Sequence, residues 1–216
     1  MARGASEQRR SVVAAMKRGI ILEAALRVFS TEGLHGASVR AIAKEAGYAP
    51  GAIYSYFPSK EHIYAAALGE SLTRLRQVTE TAAASADSAA DRLISAGVAF
   101  FDFYDANPRD LDLGFYLFGG GIEPRGLSEE LNRELNTALL TALEPVRLAA
   151  QALGADTDQA AMITADAFAH ATGLLLLSHT RRLNLFRLQA RELMQQHLQR
   201  LVESATYPGS VAPSRH

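Results

Sequence analysis

Residues 37–60 read Ala-Ser-Val-Arg-Ala-Ile-Ala-Lys-Glu-Ala-Gly-Tyr-Ala-Pro-Gly-Ala-Ile-Tyr-Ser-Tyr-Phe-Pro-Ser-Lys. They predict two short helices joined by a tight turn. Ser38 suits an N-cap, because its hydroxyl can accept a bond from a free amide of the first turn. Val39, Ile42, Ala43 and Ala46 recur at helical spacing and form an inward stripe. Gly47 follows, where a left-handed C-terminal turn carries no Cβ penalty. Pro50 opens the second helix, a position whose amide has no intrahelical partner. Ile53 and Phe57, four apart, face inward and leave Gly51, Ala52, Tyr54 and Ser55 outward. Pro58 stops this helix and Ser59 can cap the next.

A helix of about two turns with a small, polar outer face is the second element of a helix-turn-helix, which enters the DNA major groove. That groove, about 12 Å wide, admits one helix. Gly51 and Ala52 would let the backbone approach the bases. Ser38, Tyr54, Tyr56 and Lys60 are expected to position the phosphate backbone, and Arg40, Gly51, Ala52 and Ser55 to face base edges. An ordinary corner between two helices would share the helix–Gly–helix pattern.

These residues resemble the DNA-binding domain of the TetR family of bacterial repressors. The likeness runs through Ile21, Ala24, Ala25, Phe29 and Gly33, then Ser38, Ile42, Ala43, Ala46 and Gly47. It continues through Gly51, Ile53, Tyr54, Tyr56, Phe57, Ser59, Lys60 and Glu61. The closing Tyr-x-Tyr-Phe-x-Ser-Lys-Glu is its most specific part. Many members carry Thr where Ala52 stands, so one expected hydroxyl contact to DNA is missing. The resemblance implies a homodimeric regulator, a repressor released from operator DNA by a small-molecule effector bound in a C-terminal helical domain.

Charge agrees with a nucleic-acid module at one end. Residues 1–60 hold nine Lys/Arg against four Asp/Glu, whereas residues 61–216 hold thirteen against nineteen. A basic N-terminal third on an acidic body is the footprint of such a module. Hydrophobic residues make up 48%, enough to exclude a disordered chain, and the lack of Cys excludes disulfides and thiolate metal sites. Neither a signal peptide nor an apolar run of about 18 residues is read, so a cytoplasmic chain with no membrane partner is expected.

The fold class is all-α: an N-terminal three-helix helix-turn-helix domain and a C-terminal helical effector and dimerisation domain. Residues 1–16 are expected as a flexible basic arm, 17–63 as the DNA-binding domain, 64–204 as the ligand-binding and dimerisation domain, and 205–216 as a disordered tail. Arg3, Arg9 and Arg10 of the arm either fray or touch DNA. Further helices are read over about 17–31, 59–84, 89–106, 128–153, 158–180 and 185–203. Pro145 should kink the fourth of these. The second half of the 158–180 helix is apolar all round, which reads as burial on every side. The last two helices carry more apolar surface than one small domain needs, and a twofold dimer would bury it.

Two clusters in the body invite chemistry. Asp166 and His170 are four apart on one helix face, and His179 follows. They satisfy one another in a core, or bind a metal, or form the centre of a small enzyme. No His-Glu-x-x-His or Gly-x-Ser-x-Gly motif accompanies them. The reading is therefore not an enzyme, with no cofactor and no metal. The aromatics Phe101, Phe103, Tyr104, Phe115, Tyr116 and Phe118 are either core or the wall of an apolar cavity. For a largely apolar effector, Phe101, Tyr104, Phe115, Tyr116, Phe168, His170 and His179 are the candidate lining residues.

Overall fold

The computed structural model describes residues 2–114 and 127–206. The described residues form nine α-helices and no strand: α1 Ala2–Gly36, α2 Val39–Ala46, α3 Pro50–Tyr54, α4 Lys60–Ala84, α5 Ala89–Ala106, α6 Pro108–Gly114, α7 Glu129–Ala152, α8 Thr157–His179 and α9 Ala190–Thr206. A 3₁₀ turn, Arg182–Phe186, precedes α9. The all-α class follows.

The chain divides into two compact units. Residues 1–71 with 109–135 make the first, and residues 72–108 with 136–216 the second. The division falls inside α4 rather than at residue 63, because the first turns of α4 belong to the N-terminal core. Tyr64 is fully buried, its ring set edge-on to Phe29 at 5.4 Å. Its hydroxyl donates to the Leu113 carbonyl of α6.

In the first unit α1 packs on α2, and α2 on α3. Ile21, Ala24, Ala25 and Phe29 of α1, Ile42 and Ala43 of α2, and Ile53 of α3 are all 1% exposed or less. Burying one such branched side chain stabilises the unit by about 1.5–3 kcal/mol. Gly33 breaks α1 with φ 68 and ψ 172, a conformation that only glycine takes without strain. The start of α1 differs from expectation. Residues 2–16, read as an arm, are helical and continuous with the segment from Lys17, yet every residue from 8 to 17 is exposed. A helix already formed extends at little cost, whereas nucleation is the unfavourable step.

In the second unit α5, α8 and α9 pack on one another. Leu93, Ala96 and Phe100 of α5, Ala160, Ala171 and Leu175 of α8, and Met194 and Leu198 of α9 are fully buried. The α5–α9 crossing is close at Gly97: a Cβ there would lie 2.6 Å from Leu198 Cδ2. Asp156 caps α8 in a reciprocal box with Gln159. Thr79 of α4 donates to the buried Ala142 carbonyl of α7 at 2.8 Å. Pro145 lies within α7, which stays one helix over Glu129–Ala152.

Three expectations are corrected in this unit. The C-terminal half of α8 is not buried all round: Leu174 and Leu175 face its partners, while Leu176 is 47% exposed. By length and mean hydropathy α8 also passes for a membrane span, but Ala160, Ala167, Ala171 and Leu175 are buried in the unit, as in a core helix. The last helix starts at Ala190, not Leu185. Arg181 and Arg187 hold left-handed φ values of 57 and 55 on either side of the 3₁₀ turn, and Leu185, Phe186 and Leu188 stay exposed. Helix α9 runs on to Thr206, so residues 205 and 206 belong to it.

Candidate nucleic-acid interface

The two helices of the 37–60 stretch are fixed by local chemistry. Ser38 is extended at φ −134 and ψ 152, and its Oγ accepts from the Ala41 amide at 3.1 Å. Gly47 takes φ 73 and ψ 27, and the next amide, of Tyr48, bonds the Ala43 carbonyl at 2.9 Å. Pro50 begins α3. The helix is short because the Tyr56 and Phe57 amides both close on the Ile53 carbonyl, at 2.9 and 3.0 Å. Ile53 and Phe57 are buried beneath it, and the Arg18 guanidinium lies 4.6 Å over the Phe57 ring. That contact gives Arg18 a role within the domain.

The opposite face is open. Ser38, Arg40, Gly51, Tyr54 and Ser55 are exposed, and Ala52 and Tyr56 are half-buried. A Cβ added at Gly51 would meet nothing within 4 Å, so this surface has room for a partner to approach the backbone. Two of the expected contacts have other partners. The Ser38 oxygen caps α2, although its O–H can still donate. The Lys60 ammonium donates to the His35 and Ala37 carbonyls, each at 3.0 Å. It ties the link between α1 and α2 to the start of α4. The sequence reading gave Lys60 to a phosphate; the structure gives two of its three N–H donors to the main chain.

Residues 21–67 match the family model of bacterial regulatory proteins, tetR family. That stretch is similar to the DNA-binding region of the TetR family. The chain is 33% identical over 101 residues to the uncharacterized HTH-type transcriptional regulator YdgC of Bacillus subtilis, covering 45% of this chain and 52% of that protein. Over 77 residues it is 38% identical to the HTH-type transcriptional repressor KstR of Mycolicibacterium smegmatis, 36% of this chain and 38% of that one. The chain thus spans about half or less of the curated relatives it matches. Its fold is similar to the crystal structure of the transcriptional regulator FadR from Bacillus subtilis in complex with stearoyl-CoA. There the TM-score is 0.66 at 22% identity, over 85% of this chain and 96% of that one.

The residues singled out in the body of the chain do not form one group. Phe101 and Tyr104 are each 1% exposed, and the Tyr104 ring sits edge-on to Phe100 at 5.1 Å and to Phe103 at 5.2 Å. Phe168, half-buried, meets Phe100 at 5.8 Å beside a cavity of about 10 Å³, room for roughly one water. Phe115, Tyr116 and Phe118 lie outside the described residues. His179 is exposed at the end of α8 and does not join Asp166 and His170. The third member is His197 of α9, which sequence reasoning missed. Its ring stacks on His170 with centroids 3.8 Å apart and planes 15° from parallel. His197 Nε2 lies 3.2 Å from Asp166 Oδ1 without the alignment of a hydrogen bond. Burial lowers the His170 pKa from its ordinary value, helped by the charges of His197 and Arg200 and opposed by Asp166 and a bond to the Leu193 backbone. Among the described residues no group of three such side chains could hold a metal ion.

Proposed function

We propose that this chain is a dimeric, DNA-binding transcriptional repressor that leaves its operator when a small, largely apolar effector binds. The observation that carries the reading is α3. Five residues long, it is anchored by Ile53 and Phe57 and presents Gly51, Ala52, Tyr54 and Ser55 outward. Such a surface is left largely open by its own unit and suits a base-pair edge. Arg40 and Ser55 are assigned to base edges, and Ser38, Tyr54 and Tyr56 to phosphates. The work of such a protein lies with the chromosome, in the cytoplasm. The repressor KstR among its relatives supports the direction of control.

Dimerisation through α8 and α9 is supported by what one copy leaves uncovered. Met162 is 64% exposed and Leu176 47%. Between the helices lies a hollow of about 240 Å³ with Met162, Ile163, Leu201 and Ala205 on its apolar wall and Gln159, Asp166 and Ser204 beside them. A twofold axis there would set each copy's patch against its like and place two α3 helices to read successive half-sites. The FadR structure holds stearoyl-CoA, which supports fatty-acyl thioesters as the first effectors to try. Any effector shifts the protein by no more than its differential affinity for the DNA-competent and released conformers.

The test is binding of the purified chain to DNA from upstream of its own coding sequence, at two salt concentrations, beside Tyr54→Ala. Tight, salt-sensitive binding that the variant loses is expected. Equal binding of all sequences, with Tyr54→Ala unchanged, would remove the reading. Sedimentation should show a dimer that Met162→Asp with Leu176→Asp shifts toward monomer.

A further inference from the structure

Helix α1 continues for several turns beyond the N-terminal core, and residues 8–17 are exposed. On this stretch Arg9 and Val13 are four apart, as are Arg10 and Ala14, so each basic residue shares a face with a small apolar one. That face does not look out at random. Arg9, Arg10, Val13 and Ala14 line an open groove of about 480 Å³ whose other wall is Tyr56, the residue just past α3. A basic rim, an apolar floor and a phenol therefore meet beside the helix assigned to the major groove.

We infer that this groove is a second seat for DNA, taking one stretch of sugar–phosphate backbone outside the base pairs that α3 reads. A nucleotide backbone alternates an apolar sugar with an anionic phosphate. Val13 and Ala14 offer the surface for the sugar. The Arg9 and Arg10 guanidiniums and the Tyr56 hydroxyl offer donors to the phosphate oxygens, and a guanidinium fork matches two of those oxygens at once. An acidic protein segment would meet the arginines but has no need of the phenol beside α3. The inference rests on the DNA-binding reading above. It adds that α1 lengthens the footprint and contributes affinity that is independent of sequence.

The two ideas separate in one experiment on the full chain. A duplex enriched by the wild-type protein from a random pool is titrated at several salt concentrations against a scrambled duplex. Arg9→Ala with Arg10→Ala, Arg9→Lys with Arg10→Lys, and Tyr54→Ala are run beside it. Each phosphate contact contributes about 0.9 to the slope of log K against log salt. The double alanine variant should lose roughly one to two units of slope and bind both duplexes more weakly by the same factor. The lysine pair should keep the slope. A slope equal to wild type, or a changed preference between the duplexes, would overturn the groove while leaving the regulator intact. Failure of the wild type to enrich any sequence would instead overturn the DNA-binding reading, and the groove with it. The arginines stand on exposed helix, and an unchanged thermal midpoint confirms that the variants fold.

Discussion

His170 of α8 lies flat against His197 of α9, with ring centroids 3.8 Å apart. Two imidazoles in that arrangement cannot both carry a proton without repulsion. Burial, then the His197 and Arg200 charges, hold the His170 pKa below its ordinary 6.5, so the folded chain binds this proton less readily than the unfolded chain. The stability that neutral His170 contributes is present above pH 6.5 and is lost as the pH falls through the folded value. Thermal unfolding should show a midpoint that drops between pH 7.5 and 5.5, and His170→Gln should flatten that drop. A midpoint equally acid-sensitive in the variant would assign the effect elsewhere.

Gly97 and Leu198 supply a second test. Leu198 is fully buried, so it has no room to swing away from a methyl group placed 2.6 Å from its Cδ2. Gly97→Ala should destabilise the chain by about 1–3 kcal/mol. Leu198→Ala alone should cost roughly 2–5 kcal/mol through its cavity. Combined, the two should cost less than their sum, because the added methyl occupies space the leucine leaves. Additive urea midpoints would contradict the close crossing of α5 and α9.

Lys60 offers a contrast with the arginines of α1. Its ammonium holds the His35 and Ala37 carbonyls. Lys60→Met should lower stability by about 1–2 kcal/mol, the worth of charge-assisted bonds at a half-exposed site. At temperatures where the variant is folded, its salt slope for DNA should match the wild type. A shallower slope would return Lys60 to the phosphate role.

Tyr64 joins α4 to α6 through one hydroxyl. Tyr64→Phe keeps the ring against Phe29 and leaves the buried Leu113 carbonyl without this donor. The expected loss is roughly 1–3 kcal/mol. Hydrogen exchange should show α6 opening sooner while α2 and α3 keep their protection. Uniform loss of protection across the first unit would mean that Tyr64 matters for packing alone.

The helices around Ser38, Gly47 and Pro50 were legible in the sequence because their boundaries depend on neighbours within a few residues. The start of α1 was not. Residues 8–17 run from polar Gln8–Ser11 into the unbroken apolar run Val12–Met16, and, unburied, they lack the periodic signal that burial imposes. The leucines at 185 and 188 mimic helical spacing, but the left-handed backbone at Arg181 and Arg187 delays α9 to Ala190. His197 was missed for another reason. Its closeness to His170 and Asp166 depends on how α8 and α9 cross, which no spacing along one helix encodes. The bonds of Lys60 were out of sight likewise, since the carbonyls it meets lie 23 and 25 residues earlier.

The ties that hold residues 37–60 end on main-chain atoms: the Ala41 amide for Ser38, the Ala43 carbonyl for Tyr48, and the His35 and Ala37 carbonyls for Lys60. Arg40, Gly51, Tyr54 and Ser55 stand on the open side of that frame. Type and typeface are therefore separate here. On the proposed reading, a descendant of this chain can be re-lettered at Arg40, Gly51 and Ser55 for a different stretch of DNA without resetting the helices that carry them.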